Sequence, residues 1–309
     1  MDILSELMRS VGANPAYLGQ GTAIPPWGMD FPRIPGAAFH MITSGSCWLN
    51  APGLDKPIRL ETGDLVLVSN RLLYTMFSDV DAPVKPVREV LYDHPPVQES
   101  EAVAAGATTF ICGIYRFIVE PIHPFFAELP AVIHLHSYET AAHEPILSAQ
   151  RMLSAELALK QSAPGSSILV KRLVDVMFYY ILRQWMEREN SQGHSWLKAY
   201  HNTYLQKALI AIHEQPAYPW QVATLAQKAS LSRAAFARLF KTLVRETPLD
   251  YVTRVRMQQA MELLTSTEKN IDWIAENVGY STGFAFSKAF KRVCGISPQG
   301  YRQQAQPQI

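Results

Sequence analysis

The sequence predicts an α+β chain, with a β-rich barrel or sandwich and a helical hairpin in the N-terminal part and an all-α C-terminal part. Three observations carry that reading. Up to about Tyr138 the chain is dense in Pro and Gly and breaks into short β-branched and aromatic runs. After His143 the apolar period lengthens to that of a helix. From about Leu225 onward a helix, turn, helix pattern occurs twice.

Taken in order, the strands are expected at 39–42, 46–49, 57–60, 64–68 and 109–117, close enough together for a small barrel or sandwich. Pro83, Pro86, Pro95 and Pro96 mark a long loop between two of them. Leu147, Met152, Leu153 and Leu157, then Leu169, Leu173, Val176 and Tyr180, recur at helical spacing, and Pro164-Gly165 breaks this stretch into a hairpin. The second arm, 167–188, is apolar on more than one side through Val170, Val174, Met177, Phe178, Ile181, Leu182 and Trp185. That pattern suits a helix packed on the β domain and on a second copy of itself, or simply an intramolecular core helix. Domain boundaries are expected near 145, 188 and 203, with a linker over 189–203 and the all-α domain over 204–305.

The 309 residues leave room for two domains, and 48% hydrophobic with 18% charged residues at mean hydropathy −0.03 excludes disorder and fibres. The start, Met1-Asp2-Ile3-Leu4-Ser5-Glu6, has no basic region ahead of an apolar run, and no stretch of about 18 apolar residues follows. The expectation is a cytoplasmic protein with no membrane partner. Cys47, Cys112 and Cys294 cannot all pair within the chain and form no Cys-x-x-Cys, which agrees with a reducing compartment. The net charge of +1 hides a division. From Tyr204 to Ile309 thirteen Lys and Arg face seven Asp and Glu, leaving +6, while the preceding part, with fifteen against twenty, carries −5. A basic C-terminal third favours a polyanionic partner.

The repeat sharpens that. Leu225-Ala226-x-x-Ala229-x-Leu231-Ser232 matches Ile274-Ala275-x-x-Val278-x-Tyr280-Ser281 at an offset of 49, and Phe236, Phe240-Lys241, Pro248 and Tyr251 match Phe286, Phe290-Lys291, Pro298 and Tyr301 at 50. Each copy reads as two helices around a tight turn, over 222–243 and 271–293, with Ser232 a natural N-cap in the first. Phe236, Leu239, Phe240 and Leu243 form one core stripe; Phe286, Ala289, Phe290 and Val293 form the other. Outside lie Ala234, Ala237, Arg238 and Lys241 in the first copy, and Phe284, Ser287, Lys288 and Lys291 in the second. Small residues and cations without acids suit a helix entering a DNA major groove, where small side chains permit close approach and Arg or Lys reach base edges or phosphates. Thr247-Pro248-Leu249-Asp250 looks like the start of a connecting helix of roughly 17 residues, about 26 Å long. That is of the order of one DNA turn, about 34 Å, so one chain can address two successive major-groove faces.

Residues 205–302 resemble the tandem helix-turn-helix domain of AraC/XylS-type transcription regulators. The resemblance rests on Ser232-Arg233-Ala234-Ala235-Phe236-Ala237-Arg238-Leu239-Phe240-Lys241, on Arg256-x-x-x-Ala260-x-x-Leu263-Leu264, on Ile274-Ala275-x-x-Val278-Gly279-Tyr280, and on Phe286-Ser287-Lys288-Ala289-Phe290-Lys291-x-x-x-Gly295-x-x-Pro298-x-x-Tyr301-Arg302. It implies that Ser232, Arg233, Ala234, Ala237, Arg238 and Lys241 of the first reading helix face double-stranded promoter DNA, with Phe284, Ser287, Lys288 and Lys291 in the second. It also admits RNA polymerase as a partner. Gly283-Phe284 departs from the Glu or Gln that relatives commonly carry there, which points to phosphate anchoring by the second helix.

Residues 1–188 resemble the cupin-type sensor domain of one branch of these regulators, through Phe39-His40-x-x-x-x-Gly45-Ser46-Cys47-Trp48-Leu49, Arg59-Leu60-x-x-Gly63-Asp64-Leu65-Val66-Leu67 and Ile111-Cys112-Gly113-x-Tyr115-x-Phe117. That implies a small-molecule effector in the mouth of a β-barrel, with His40, Cys47, Tyr74 and Cys112 as pocket candidates, and a homodimer. A metal centre is not expected. His40-Met41-Ile42 lacks the second His of catalytic cupins, Tyr74 stands where a later His is often found, and His134-Leu135-His136 has no evident third ligand. Cys47 and Cys112 either pack as small hydrophobes or react at a pocket mouth if neighbouring cations lower their pKa. No Gly-x-Ser-x-Gly, Gly-x-x-x-x-Gly-Lys or His-Glu-x-x-His is present. The expectation is therefore a regulator, neither an enzyme nor a holder of a cofactor. A metal-dependent cupin enzyme joined to a DNA-binding domain, and a ligand-independent DNA binder, are the alternatives.

Overall fold

The computed structural model describes residues 14–33, 36–69, 72–91, 105–116, 124–142, 144–159, 163–188 and 195–305. They group into two units, one within 14–116 and 129–188, the other within 124–128 and 195–305.

The first unit holds β1 (Asn14–Ala23), β2 (Gly28–Phe31), β3 (Gly36–Ser44), β4 (Ser46–Asn50), β5 (Ile58–Glu61), β6 (Leu65–Val68), β7 (Tyr74–Phe77), β8 (Val84–Pro86), β9 (Thr108–Arg116) and β10 (Val132–Leu135). One sheet runs β1-β9-β3-β6-β10 and the other β5-β4-β7-β2-β8. Strand periodicity sends alternate residues inward. Ala38, Ile42, Val66, Val68, Phe110 and Cys112 of the first sheet therefore share one core with Met29, Cys47, Leu49, Leu60 and Met76 of the second. The cupin-like β domain forms as expected, but the sheets do not close into a barrel. Among the described strands, no pairing joins β1 or β10 to the other sheet's edges.

The expected loop around Pro83–Pro86 contains β8, paired in parallel with β2, and α1 (Val87–Leu91); Pro95 and Pro96 lie outside the described residues. A single turn, α2 (Pro124–Ala127), groups with the second unit. α3 (Ser137–Ala142), α4 (Glu144–Ala158) and α5 (Ser166–Arg188) follow. Tyr115 stacks on Phe178 of α5 with ring centroids 4.1 Å apart, and its hydroxyl donates to Asp175 Oδ1 at 2.8 Å. Val170, Val174, Met177, Phe178, Ile181, Leu182 and Trp185 are all buried within one chain. Intramolecular packing thus accounts for the residues that suggested a two-sided helix. Ile168, Leu169 and Val176 are the apolar residues α5 leaves exposed.

The second unit continues with α6 (Ser195–His201), α7 (Thr203–Glu214), α8 (Val222–Lys228), α9 (Arg233–Val244), α10 (Pro248–Ser266), α11 (Ile271–Asn277), α12 (Gly283–Cys294) and α13 (Pro298–Ala305). Of the expected linker, 189–194 lies outside the described residues, and from Ser195 the chain is helical rather than open. Its anchor is Trp196, fully buried, edge-on to Phe125 at 5.5 Å, with its backbone N–H donating to Glu128 Oε2 at 2.9 Å. α10 starts where its cap residues require. Thr247 accepts from Asp250 N and donates to the Asp250 carboxylate, with Pro248 at the first position. Several arginines of this unit bond inside it. Arg254 pairs with Glu246 over the Tyr251 ring, Arg256 donates to the carbonyls of Pro216 and Tyr218, and Arg302 to those of Leu264 and Lys269.

Candidate nucleic-acid interface and effector pocket

α9 and α12 are alike in cap, length and outer charge. Ser232 accepts a hydrogen bond from Ala235 N at 3.3 Å, Thr282 one from Ala285 N at 3.1 Å, and each helix runs twelve residues. Each is joined to its predecessor by the same tight turn. Leu231 N donates to Ala226 O at 2.9 Å, and Tyr280 N to Ala275 O at 2.8 Å. Phe236, Phe240 and Val244 hold α9 to the core, as Phe286 and Phe290 hold α12. Leu239, Leu243, Ala289 and Val293 are only half-buried, because the buried row follows i, i+4 and i+8 and leaves them at its margin.

The opposite faces are open. Ser232, Arg233, Ala234, Arg238 and Lys241 are exposed and Ala237 is half-buried; Phe284, Lys288 and Lys291 are exposed and Ser287 is half-buried. Neither helix contains an acid, and each carries three cations: Arg233, Arg238 and Lys241, then Lys288, Lys291 and Arg292. Phe284 is 82% exposed, an apolar surface suited to a thymine methyl. Gly283 does not impair the start of α12. Its N–H donates to Asp272 Oδ1 at 3.1 Å, and a Cβ there would lie 2.2 Å from the same oxygen. The glycine lets α11 and α12 approach closely.

In the β unit, register brings separated residues together. β3 and β9 pair so that His40 faces Cys112, and β3 and β6 so that His40 faces Val66. His40 Nδ1 shares a hydrogen bond with Cys112 Sγ at 2.6 Å and Nε2 one with Tyr74 Oη at 2.6 Å. Phe31 stacks on Tyr74 at 4.7 Å and meets His40 edge-on at 4.8 Å. Burial pushes the His40 imidazole down to about 3, and it raises the Cys112 thiol and the Tyr74 phenol well above their ordinary values. The trio is neutral at physiological pH.

A cavity of about 570 Å³ opens beside these three, walled by Phe31, Ala38, Leu91 and Ile114, with Gln20 and Arg88 as further polar groups. The structure therefore brings His40, Tyr74 and Cys112 to one pocket. Cys47 does not line it; it is buried between the sheets, and its thiol is pushed up to about 12 by burial and then by the charge of Asp64. Cys294 likewise stands at about 12 through burial. A protonated thiol is a poor nucleophile, and burial raises all three thiols above their ordinary value. Both ring nitrogens of His40 are engaged by uncharged partners. Sequence reading missed Phe31, Gln20 and Arg88, whose contribution depends on strand pairing and on α1. It also missed a third partner for the two later histidines: Asp64 Oδ2 lies 2.9 Å from His134 Nε2.

Comparison with known proteins agrees with both units. A cupin family model matches residues 2–187 and a helix-turn-helix domain model residues 225–304. A putative AraC-like transcription regulator of Streptomyces lividans is 31% identical over 275 residues, 89% of this chain and 88% of that protein. The HTH-type transcriptional regulator AlkR of Acinetobacter baylyi is 31% identical over 255 residues, 79% and 80% of the two chains. Among solved structures, the DNA-binding domain of AdpA in complex with a target DNA is 30% identical, covering 34% of this chain and 96% of that one, at a TM-score of 0.32.

Proposed function

Because the chain belongs to the AraC-type family of DNA-binding transcription regulators that carry an N-terminal cupin domain, we propose that its two outer helix faces read successive major grooves and that its β-unit cavity holds a small effector. The observation that carries the DNA reading is the repeated acid-free face. On α9 it consists of Ser232, Arg233, Ala234, Ala237, Arg238 and Lys241, and on α12 of Phe284, Ser287, Lys288 and Lys291. The positive dipole end of α9 adds attraction for phosphate, whereas the N-terminus of α12 is already met by the Asp272 carboxylate. Arg233 and Arg238 suit bidentate contacts with guanine, the small Ala234 and Ala237 allow approach, and the lysines neutralise phosphates.

The pocket supports an effector of mainly apolar character with one or two polar groups. Its walls are aromatic and aliphatic, while His40, Tyr74 and Cys112 form a neutral hydrogen-bonding cluster and Arg88 supplies the one cation among its lining residues. Occupancy would regulate transcription by favouring whichever state of the chain binds DNA more tightly, or less. The cavity serves binding rather than turnover, in keeping with relatives named as regulators. The exposed Ile168, Leu169 and Val176 of α5, with Met152 and Leu159 of the neighbouring hairpin arm, are the surface on which a homodimer would form. RNA polymerase would be met by the DNA-bound form.

Footprinting of the full-length protein on DNA from upstream of its own gene tests the reading. The expected result is a pair of protected major-groove segments centred about 10 bp apart on one face of the duplex. A single protected segment, or uniform weak protection, would reject the two-helix reading.

A further inference from the structure

We propose that Asp64, His134 and His136 form a binding site for a divalent first-row transition ion, with zinc the best match to a set of two imidazoles and one carboxylate. None of the three lines the effector cavity.

The site is built by register. β10 pairs antiparallel with β6 so that His134 faces Val66 and Leu135 faces Leu65. Continued by one residue, that register sets His136 opposite Asp64, so all three side chains fall on one face at one end of the sheet. The outcome is compact: one ligand atom from each residue lies within 4.8 Å of the other two, Asp64 Oδ2 is 2.9 Å from His134 Nε2, and the imidazole centroids are 4.0 Å apart.

The surroundings hold these groups in place. Gly63, at φ 92°, makes the turn that delivers Asp64. The Asp64 carboxylate accepts the backbone N–H of Ser137 at 2.7 Å and of Glu61 at 3.0 Å, which fixes its plane. The His134 carbonyl accepts from Arg188 at 3.0 Å, and His136 N donates to Glu139 Oε2 at 2.7 Å, while Glu139 and Arg188 pair with each other. Their charges cancel, leaving the Asp64 carboxylate to set the local charge. Such supporting hydrogen bonds around ligand residues are what a metal centre requires.

A simple His–Asp clasp would explain His134 alone. It leaves His136 without a purpose: its ring stacks on Tyr138, meets His134 at a tilt of 49° and has no hydrogen-bond partner among the described residues. A cation accepting a lone pair from each imidazole accounts for both. Burial also grades outward, with Asp64 buried, His134 half-buried and His136 exposed, so an ion has a path from solvent.

With bonds of about 2.0–2.2 Å, the donors of a tetrahedral zinc stand about 3.3 Å apart. The His134–Asp64 contact must open by about 0.4 Å and the exposed His136 ring must swing inward, a rotamer change. As the ion enters, the neutral His134 imidazole carries its one N–H on Nδ1 instead of Nε2, freeing the Nε2 lone pair, and the fourth position is taken by water.

The test is calorimetric titration of ZnCl2 into the EDTA-treated full-length protein, repeated on His136→Ala and Asp64→Asn. His136 is exposed, so its truncation leaves the fold intact. The expected result is saturable uptake of one zinc per chain, weakened at least about 100-fold in His136→Ala. Asp64→Asn, where it folds, should behave likewise. No saturable uptake by the wild type would overturn the proposal. So would uptake that His136→Ala leaves unchanged, since the ion would then occupy another site.

Discussion

His40 sits where the chemistry of the β unit is decided, buried between a thiol and a phenol at the wall of the cavity. Its imidazole titrates near 6.5 in the unfolded chain and near 3 when folded. Between those values the unfolded state takes up a proton that the native state refuses, so the shift leaves stability unchanged above about pH 6.5 and lowers it progressively as pH falls below that. Urea melts of wild type and His40→Gln between pH 7 and 4 should therefore differ in slope. The wild type should lose up to about 1.4 kcal/mol more per pH unit in the acidic part of that range. Parallel curves would show that His40 is protonated in the folded chain. The sequence named His40, Tyr74 and Cys112 together, since polar residues within otherwise apolar strands stand out. It could not exclude Cys47, because strand parity relative to the cavity depends on which sheet each strand joins.

At the scale of elements, the duplicated helix pairs show how closely local chemistry dictates structure. Ser232, Thr247, the Pro248 start and the paired phenylalanines of both core stripes were legible, because capping and helical periodicity act over a few residues. α6 and the β8–α1 stretch were not. They are short and owe their order to burial, as Trp196 shows for α6. The two copies also differ at one matched backbone position. The turn residue is Ser230 at φ 54° in the first and Gly279 at φ 85° in the second. A left-handed backbone costs a non-glycine residue roughly 1 kcal/mol. Ser230 is exposed, so Ser230→Gly should raise stability by up to about 1 kcal/mol. Gly279→Ser should do the reverse and more, since its Cβ would lie 2.6 Å from Ala217 O and 2.8 Å from Ala217 Cα. Chemical denaturation of both variants checks the pair. Equal signs would mean that the two turns are not equivalent.

Across the whole molecule, function followed from what repeats and from what is left unneutralised. The +6 surplus after Tyr204 and the absence of acids from α9 and α12 are sequence facts, and the structure adds that those cations are exposed while Arg254, Arg256 and Arg302 are used internally. No sequence distance separates those two roles, since both kinds of arginine lie on amphipathic helices; only partners do. The meeting of Asp64 with His134, seventy residues away, was equally out of reach, because it needs the β6–β10 register. The central claim is that the α9 face reads bases. Its most direct test is fluorescence anisotropy of the full-length protein, wild type and Arg238→Ala, on a duplex carrying the footprinted site and on a shuffled duplex of equal composition, at one fixed salt concentration. The account predicts that the wild type prefers the true site and that Arg238→Ala loses about 1 to 3 kcal/mol on it with little change on the shuffled duplex. Equal affinity of wild type and variant for the true site would contradict it.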